Sequence, residues 1–239
     1  MGWFTSRNYP KYLLGIFLVL WAISLIGIKF PFDFFLEHIL TVVFLAFLIF
    51  SYHKFRLSNI SYTLIFCFML LHVLGAHYTY SLVPYDKWSE WLFKINITEL
   101  FGFSRNHYDR LVHLSFGLLM AYPVREVFLR IASVKGIWGY YLPLDVMASF
   151  SVAYELLEFA IAVIIGGAAA ATYNGEQGDV WDAHKDMFMA ICGGIISMTT
   201  IFFVNMRYKK DFWRDIKQSF SIKRKTPLGE VELLRMQRK

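Results

Sequence analysis

Six long apolar runs limit what this chain can fold into. A helix that crosses the hydrocarbon core of a bilayer, about 30 Å thick, needs about 20 mostly apolar residues. Each run approaches this length and lies between charged or Pro- and Gly-bearing segments. The runs cover residues 11–29, 35–52, 60–80, 107–130, 143–166 and 184–206. The sequence therefore predicts an all-α, polytopic membrane protein with about six transmembrane helices.

The composition supports the same fold class. Of the 239 residues, 57% are hydrophobic and 18% are charged, whereas a soluble domain has roughly 45–50% apolar and about 25% charged residues. The net charge of +6 arises in residues 207–239, which hold eleven Lys or Arg and four Asp or Glu. We expect one transmembrane domain over residues 1–206 and a basic cytoplasmic tail over 207–239. Such a tail is typical of a topogenic or lipid-surface element, so we expect membrane lipids and no nucleic acid as partners.

Basic residues between the runs predict the orientation, because cytoplasmic loops of membrane proteins are enriched in Lys and Arg. If both termini are cytoplasmic, the basic residues between helices share one side: Arg7, Lys11, Lys54, Arg56, Arg125, Arg130 and Lys135. The opposite side then holds acidic residues: Asp86, Glu90, Glu99, Glu176 and Asp179. The sequence therefore predicts an N-in, C-in topology.

The connection before the fourth helix, residues 83–106, has its own pattern. Its apolar residues recur at helical spacing, and charged residues occupy the other side. This pattern predicts a short amphipathic helix lying in the outer membrane interface. A lid over a site is the alternative.

The fifth helix carries two carboxylates, Glu155 and Glu158. A charged residue in a membrane costs about 2.5–3.5 kcal/mol on insertion scales and usually faces a bundle interior or a cavity. Three-residue spacing places both groups on one face, and a bound cation or a shared proton would relieve their repulsion. A structural hydrogen bond to a neighbouring helix is the alternative.

Further acids and histidines lie at the outer ends of neighbouring helices. Asp109 and His113 share a face of the fourth helix, although Asn106 and Asp109 also resemble a capping box. Asp179, Asp182 and Asp186 are aligned if a helix begins there, and the helix dipole is the alternative explanation for the first two. His77 lies at the outer end of the third helix. Glu126 is most simply paired with Arg130 at the cytoplasmic end, so we interpret it as structural.

Apart from Glu126, these polar residues fall in the outer half of the membrane under the predicted topology, with Glu155 just below the others. Carboxylates and imidazoles from several helices suit a divalent metal ion. The predicted metal ligands are His113, Glu155, Glu158, Asp179, Asp182 and Asp186, with His77 and Asp109 as further candidates.

Four stretches of the sequence indicate a known family. They are residues 75–80 (GAHYTY), 106–113 (NHYDRLVH), 154–158 (YELLE) and 177–186 (QGDVWDAHKD). Nearly the whole chain resembles the YjdF-like family, a domain of unknown function. The resemblance implies a multi-pass protein of the bacterial inner membrane and no particular activity.

The order of these polar motifs is also similar to that of VanZ-like proteins, which are associated with glycopeptide tolerance. The chain departs from that pattern at Glu158 and Asp186, where an amide is usual. The added negative charge favours cation binding and does not favour shared chemistry.

Three functions fit these observations. The first is a metal-dependent site that acts on a lipid or lipid-linked envelope substrate from the outer leaflet. The second is a non-catalytic scaffold in which the polar cluster holds the helices together. The third is a cation- or proton-coupled transporter, because buried acids also mark ion pathways.

Overall fold

The structure is a computed structural model that describes residues 3–166, 177–222 and 227–237. All regular secondary structure in these ranges is helical, which confirms the all-α fold class. A 3-10 turn, Trp3–Thr5, precedes the α-helices. The helices are α1 (Tyr9–Ser24), α2 (Pro31–Ser51), α3 (Asn59–His77), α4 (Tyr85–Phe93), α5 (Ile97–Leu100), α6 (Tyr108–Arg130), α7 (Trp138–Ile165), α8 (Asp182–Tyr208), α9 (Phe212–Gln218) and α10 (Leu228–Gln237). Glu176, which the orientation argument used, lies outside the described residues.

Each of the six predicted runs forms a helix. Helices α2, α3, α6, α7 and α8 are long and apolar enough to cross a membrane. The first helix, α1, has 16 residues and spans about 24 Å at 1.5 Å per residue. It ends at Ser24 rather than at residue 29, shortly before Gly27 with its positive φ of 77°. These helices agree with a multi-pass membrane protein.

Two other helix ends differ from the sequence prediction. Helix α3 stops at His77 rather than residue 80, because Thr79 and Tyr80 adopt positive φ angles of 55° and 52° that end the helix. Helix α7 begins at Trp138, five residues before the predicted start, and Pro143 lies inside it. The depth of Glu155 and Glu158 along α7 is therefore measured better from the C-terminal end of the helix than from its start.

Helices α6 and α8 pack closely through glycines. A Cβ on Gly117 of α6 would collide with the carbonyl oxygen of Ala190, and a Cβ on Gly193 of α8 would collide with that of Leu114. Small residues let membrane helices approach to backbone contact. Because Gly117 and Ala190 lie four residues after His113 and Asp186 respectively, this contact fixes the two polar residues one turn away.

The other spans surround this pair on different sides. Helix α7 packs against both α6 and α8, α3 packs against α6, and α1 and α2 pack against α3. The backbones of α2 and α7 do not pack closely against each other. The bundle therefore leaves a gap between α2 and α7.

The predicted amphipathic helix before the fourth span is present as α4, followed by the short α5. Ser89 is buried, whereas Trp91 and Phe93 are exposed. The carboxylate of Asp86 accepts hydrogen bonds from the backbone N–H and the hydroxyl of Thr98, at 2.9 and 2.6 Å. These bonds hold α4 and α5 together, and the exposed aromatic side chains suit a membrane interface.

Candidate functional site

Three metal-ligand side chains meet where α6 and α8 begin. Asp109 and His113 lie one turn apart on α6, and Asp186 lies one turn into α8. One ligand atom from each residue lies within 4.8 Å of the others. His113 and Asp186 are buried, and Asp109 is half-buried. We call Asp109, His113 and Asp186 the three-donor group.

Glu155 of α7 lies beside this group. Its Oε1 is 3.5 Å from Nε2 of His113, and the same nitrogen is 3.7 Å from Oδ1 of Asp109. Oε1 of Glu155 and Oδ1 of Asp186 are buried and have no hydrogen-bond partner among the described residues. A buried polar atom without a partner costs about 1–3 kcal/mol. Two such oxygens beside one imidazole suit a cation or a proton.

Glu158 extends the cluster toward the C-terminal end of α7. Its side chain lies within hydrogen-bonding reach of Glu155 and Tyr154, and within electrostatic range of Asp109. It lies seven residues before the end of α7 at Ile165, or about 10 Å along the helix axis. The two predicted carboxylates of α7 therefore belong to the same cluster as Asp109 and His113.

The sequence prediction omitted Glu37 of α2. This residue is buried, and its Oε2 accepts a hydrogen bond of 3.0 Å from the Tyr154 hydroxyl. It also lies within electrostatic range of Asp109 and Glu158. The sequence could have indicated Glu37, because an acid inside the apolar run 35–52 carries the same insertion cost as Glu155.

A second omitted group lies on α3 and the turn that follows it. The His72 ring receives contacts on both nitrogens, from Thr41 Oγ1 at 2.9 Å and from the Tyr80 hydroxyl at 2.5 Å. The Tyr80 ring folds back against Gly75, where a Cβ would collide with it. The positive φ angles after His77 make this reversal possible. Tyr80 thus reaches from α3 toward the acidic residues.

Asp179 and Asp182 form ion pairs beside the three-donor group. Asp182 pairs with Arg105 and, at 3.3 Å, with Arg110. Asp179 accepts from Arg110 at 2.5 Å and from Lys185 at 2.6 Å. We call these five residues the ion-pair layer. The hydrogen bond from Lys185, together with those from the Trp181 backbone and Arg110, holds the pKa of Asp179 well below its usual range.

The ion-pair layer contains two of the three predicted acidic ligands of this region, Asp179 and Asp182, but not Asp186. Helix α8 begins only at Asp182, so Asp179 lies in the preceding turn and accepts a hydrogen bond from the Trp181 backbone N–H. Arginine charges balance Asp179 and Asp182, whereas Asp186 faces the imidazole of His113. Sequence spacing alone could not separate them, because both arginines come from another part of the chain.

The structure also shows the contacts of His77, Glu126 and the residues at the start of α6. Nδ1 of His77 donates a hydrogen bond of 2.8 Å to the Ser24 carbonyl oxygen, and His77 does not belong to the three-donor group. Asn106 accepts from the Tyr108 backbone N–H, so Asp109 is not needed as a helix cap. Glu126 pairs with Arg130 at 2.7 Å, which confirms its structural interpretation.

The three-donor group fits a divalent metal. Protein ligands lie about 2.0–2.6 Å from Zn²⁺, Mg²⁺ or Ca²⁺, so two ligand atoms on one ion are at most about 5 Å apart. The 4.8 Å limit within the group satisfies this condition. Carboxylate and imidazole are both side-chain types that bind divalent metals. The unpartnered oxygens of Asp186 and Glu155 face the same region.

Comparison with known proteins identifies the family. A family profile described as "Predicted membrane protein (DUF2238)" matches residues 9–207, which include every residue of the site. The chain belongs to this family. It is 36% identical to "Inner membrane protein YjdF" of Escherichia coli (strain K12) over 153 residues, 63% of this chain and 67% of that protein. No solved structure matches the chain.

Membership in DUF2238 and the apolar helices together establish a multi-pass protein of the bacterial inner membrane. The resemblance to the YjdF-like family is thereby confirmed. The looser likeness to VanZ-like proteins and the N-in, C-in topology stay predictions.

Proposed function

We propose that this DUF2238 protein binds a divalent metal ion at the three-donor group and acts on a lipid or lipid-linked envelope substrate from the outer leaflet. One observation carries the proposal: the ligand atoms of Asp109, His113 and Asp186 lie within 4.8 Å of one another. Their position in a membrane bundle makes a lipid or lipid-linked molecule the proposed class of substrate, because such a molecule is held in the same membrane.

The residues divide into roles by their contacts. Asp109, His113 and Asp186 would hold the metal, and a bound ion of this kind polarises a substrate oxygen as a Lewis acid. Glu155 lies beside His113 without a partner for Oε1, so it is the proposed proton acceptor. A general base must reach its proton directly or through one water, and Glu155 would do so for a water or hydroxyl bound beside His113.

The ion-pair layer has a supporting role in this proposal. Asp179 and Asp182, both predicted as metal ligands, act through Arg105 and Arg110. Arg110 bridges the two aspartates. The layer would orient the start of α8, and thereby Asp186, relative to α6.

Elemental analysis of the purified protein tests the proposal. We expect about one divalent metal per chain in the wild type, as in a three-ligand site with an open position. Asp186→Asn should abolish the metal. Asp145→Asn is the matched control, because Asp145 is an exposed carboxylate on α7 and should leave the metal in place. A wild-type protein that holds no metal even after incubation with Zn²⁺, Mg²⁺ and Mn²⁺ contradicts the proposal.

A non-catalytic scaffold is the second candidate, and the ion-pair layer favours it. Those contacts join the connection before α6 to the start of α8 with short ion pairs. A scaffold predicts that loss of each polar contact lowers stability and function in proportion. Cation- or proton-coupled transport is the third candidate, supported by the buried acids. Flux into liposomes that Glu155→Gln does not alter counts against transport.

A further inference from the structure

A cleft opens between α2 and α7, the two spans whose backbones do not pack closely against each other. It has a volume of about 110 Å³, and its apolar walls are Leu36, Ile39, Leu40, Leu157 and Ile161. Ile39, Leu40 and Leu157 are exposed on the protein surface. In a bilayer this surface faces hydrocarbon, so the cleft is open to lipid from the side.

The floor of the cleft is polar. Glu37 and Tyr154 line it, and the Tyr154 hydroxyl donates to Glu37 Oε2 across it at 3.0 Å. Glu37 is only 9% exposed. A surface that merely contacts bulk lipid gains nothing from a carboxylate, because a charged group in hydrocarbon is costly. The floor is therefore built for something other than an acyl chain alone.

The floor also leads to the three-donor group. The Tyr154 ring lies 5.9 Å from the His113 ring, centroid to centroid. Glu158, within reach of Tyr154, lies within electrostatic range of both Glu37 and Asp109. A molecule seated in the cleft would thus have its polar end beside the cluster and its apolar part between the two helices.

We propose that the α2–α7 cleft is the lateral opening through which one lipid substrate reaches the cluster, with its hydrocarbon chain between α2 and α7 and a hydroxyl at Glu37 and Tyr154. This inference rests on the proposed function and names the substrate class for the same site. Dry apolar cavities of about 150 Å³ accept benzene, so a cleft of this order accommodates a segment of a hydrocarbon chain.

The charge and depth of the cleft floor indicate which kind of polar end a bound lipid has. Glu37 lies six residues from the start of α2, or about 9 Å along the helix, inside the apolar span. Glu37, Asp109 and Glu158 interact electrostatically, and this concentration of acids disfavours an anionic group at the floor. A neutral hydroxyl donates a hydrogen bond to a carboxylate without that repulsion. A lipid with a neutral, hydroxyl-bearing end therefore fits best.

Photo-crosslinking in vesicles tests this proposal. The full-length protein is reconstituted into phosphatidylethanolamine and phosphatidylglycerol vesicles that contain a diacylglycerol with a diazirine in its acyl chain. Crosslinked residues are mapped by mass spectrometry before and after a chase with unlabelled vesicles. We expect labelling at Leu40 and Leu157 to outlast the chase, whereas labelling at Phe50, which is exposed on α2 about 15 Å along the helix from Leu40, should disappear.

Two substitutions in the cleft and one control outside it test whether the cleft causes the retained labelling. Leu157→Trp fills the cleft and should lower chase-resistant labelling about tenfold, because overpacking opposes binding. Val163→Trp adds the same side chain on α7 outside the cleft and should change nothing. Glu37→Gln keeps an acceptor for Tyr154 but weakens the hydrogen bond to the lipid, and should lower retention about threefold or more.

The outcomes separate this proposal from the metal hypothesis. The melting temperature of the Leu157→Trp sample is compared with that of the wild type, and an unchanged value shows that the variant is folded. Metal content is measured on the same sample. Chase-resistant labelling in a protein that holds no metal supports the cleft and contradicts the metal. Labelling that decays equally at Leu40 and Phe50, or a cleft closed by a second copy of the chain in a crosslinked dimer, overturns the cleft proposal.

Discussion

Nε2 of His113 lies 3.5 Å from Oε1 of Glu155, a carboxylate oxygen that makes no hydrogen bond within the described residues. The contact joins α6 to α7 at the place where Asp186 of α8 also arrives. Three helices thus direct ionisable side chains at one point inside an apolar bundle. Because such groups are costly in a membrane, their convergence is the strongest indication of a functional site in this chain.

Glu155→Gln should separate function from stability. The amide has the shape of the carboxylate and loses no hydrogen bond at Oε1, so we expect the free energy of unfolding to change by less than about 1 kcal/mol. The amide cannot accept a proton, so cellular function should be lost. Thermal melting in nanodiscs and complementation of a deletion strain measure the two effects. Glu99→Gln, at an exposed carboxylate, is the matched control. A melting temperature and a function that fall together would favour the scaffold instead.

Gly117→Ala should destabilise the bundle and displace the three-donor group. The added Cβ would collide with the Ala190 carbonyl oxygen and the Gly194 backbone nitrogen, and overpacking of this kind costs about 1–3 kcal/mol. Gly15→Ala on α1 is the control, because no atom lies within 4 Å of its Cβ position. That change should stabilise the protein by about 0.5–1 kcal/mol.

In a thermal-melting measurement, Gly117→Ala should lower the melting temperature and Gly15→Ala should raise it. Gly117→Ala should also weaken metal binding, because Gly117 lies one turn from His113. Equal and small effects in both variants would show that α6 and α8 do not depend on this backbone contact.

Removal of metal should lower stability. A ligand present at 100 times its dissociation constant stabilises the folded state by about 2.7 kcal/mol, so chelation should produce a drop of that order in the wild type. Asp186→Asn should melt at the same temperature with and without the chelator. A wild-type protein whose melting is insensitive to chelation and to added metal would contradict the proposed site.

The ion-pair layer should persist in mild acid. The pKa of Asp179 is lowered in the folded protein by the Lys185 hydrogen bond and by Arg110, from an ordinary value of 3.8. A lowered carboxyl pKa stabilises the fold above the ordinary value, and the contribution fades as the pH falls below it. The melting difference between wild type and Asp179→Asn should therefore stay constant from pH 7 to about 5 and shrink below about 4. A difference that vanishes already near pH 6 would show that Asp179 is not held in these pairs.

Several features followed from the sequence because they depend on local pattern or on the membrane. Apolar run length predicted the spanning helices, helical spacing predicted α4, and four-residue spacing predicted the pair of Glu126 and Arg130. The insertion cost of charged residues pointed to Glu155 and Glu158. None of these inferences needed knowledge of which helix neighbours which.

The tertiary structure decided which polar residues meet. The Glu37 carboxylate accepts a hydrogen bond from Tyr154, 117 positions away in the chain. Arg105 and Arg110 form ion pairs with Asp179 and Asp182 and not with Asp186. A sequence states the face of a helix on which a residue lies but not the helix that this face contacts. Contact between α6 and α8 depends on Gly117 and Gly193, whose missing side chains permit an approach that no periodicity reveals. The separation of α2 from α7, and with it the cleft, is likewise a property of the assembled bundle.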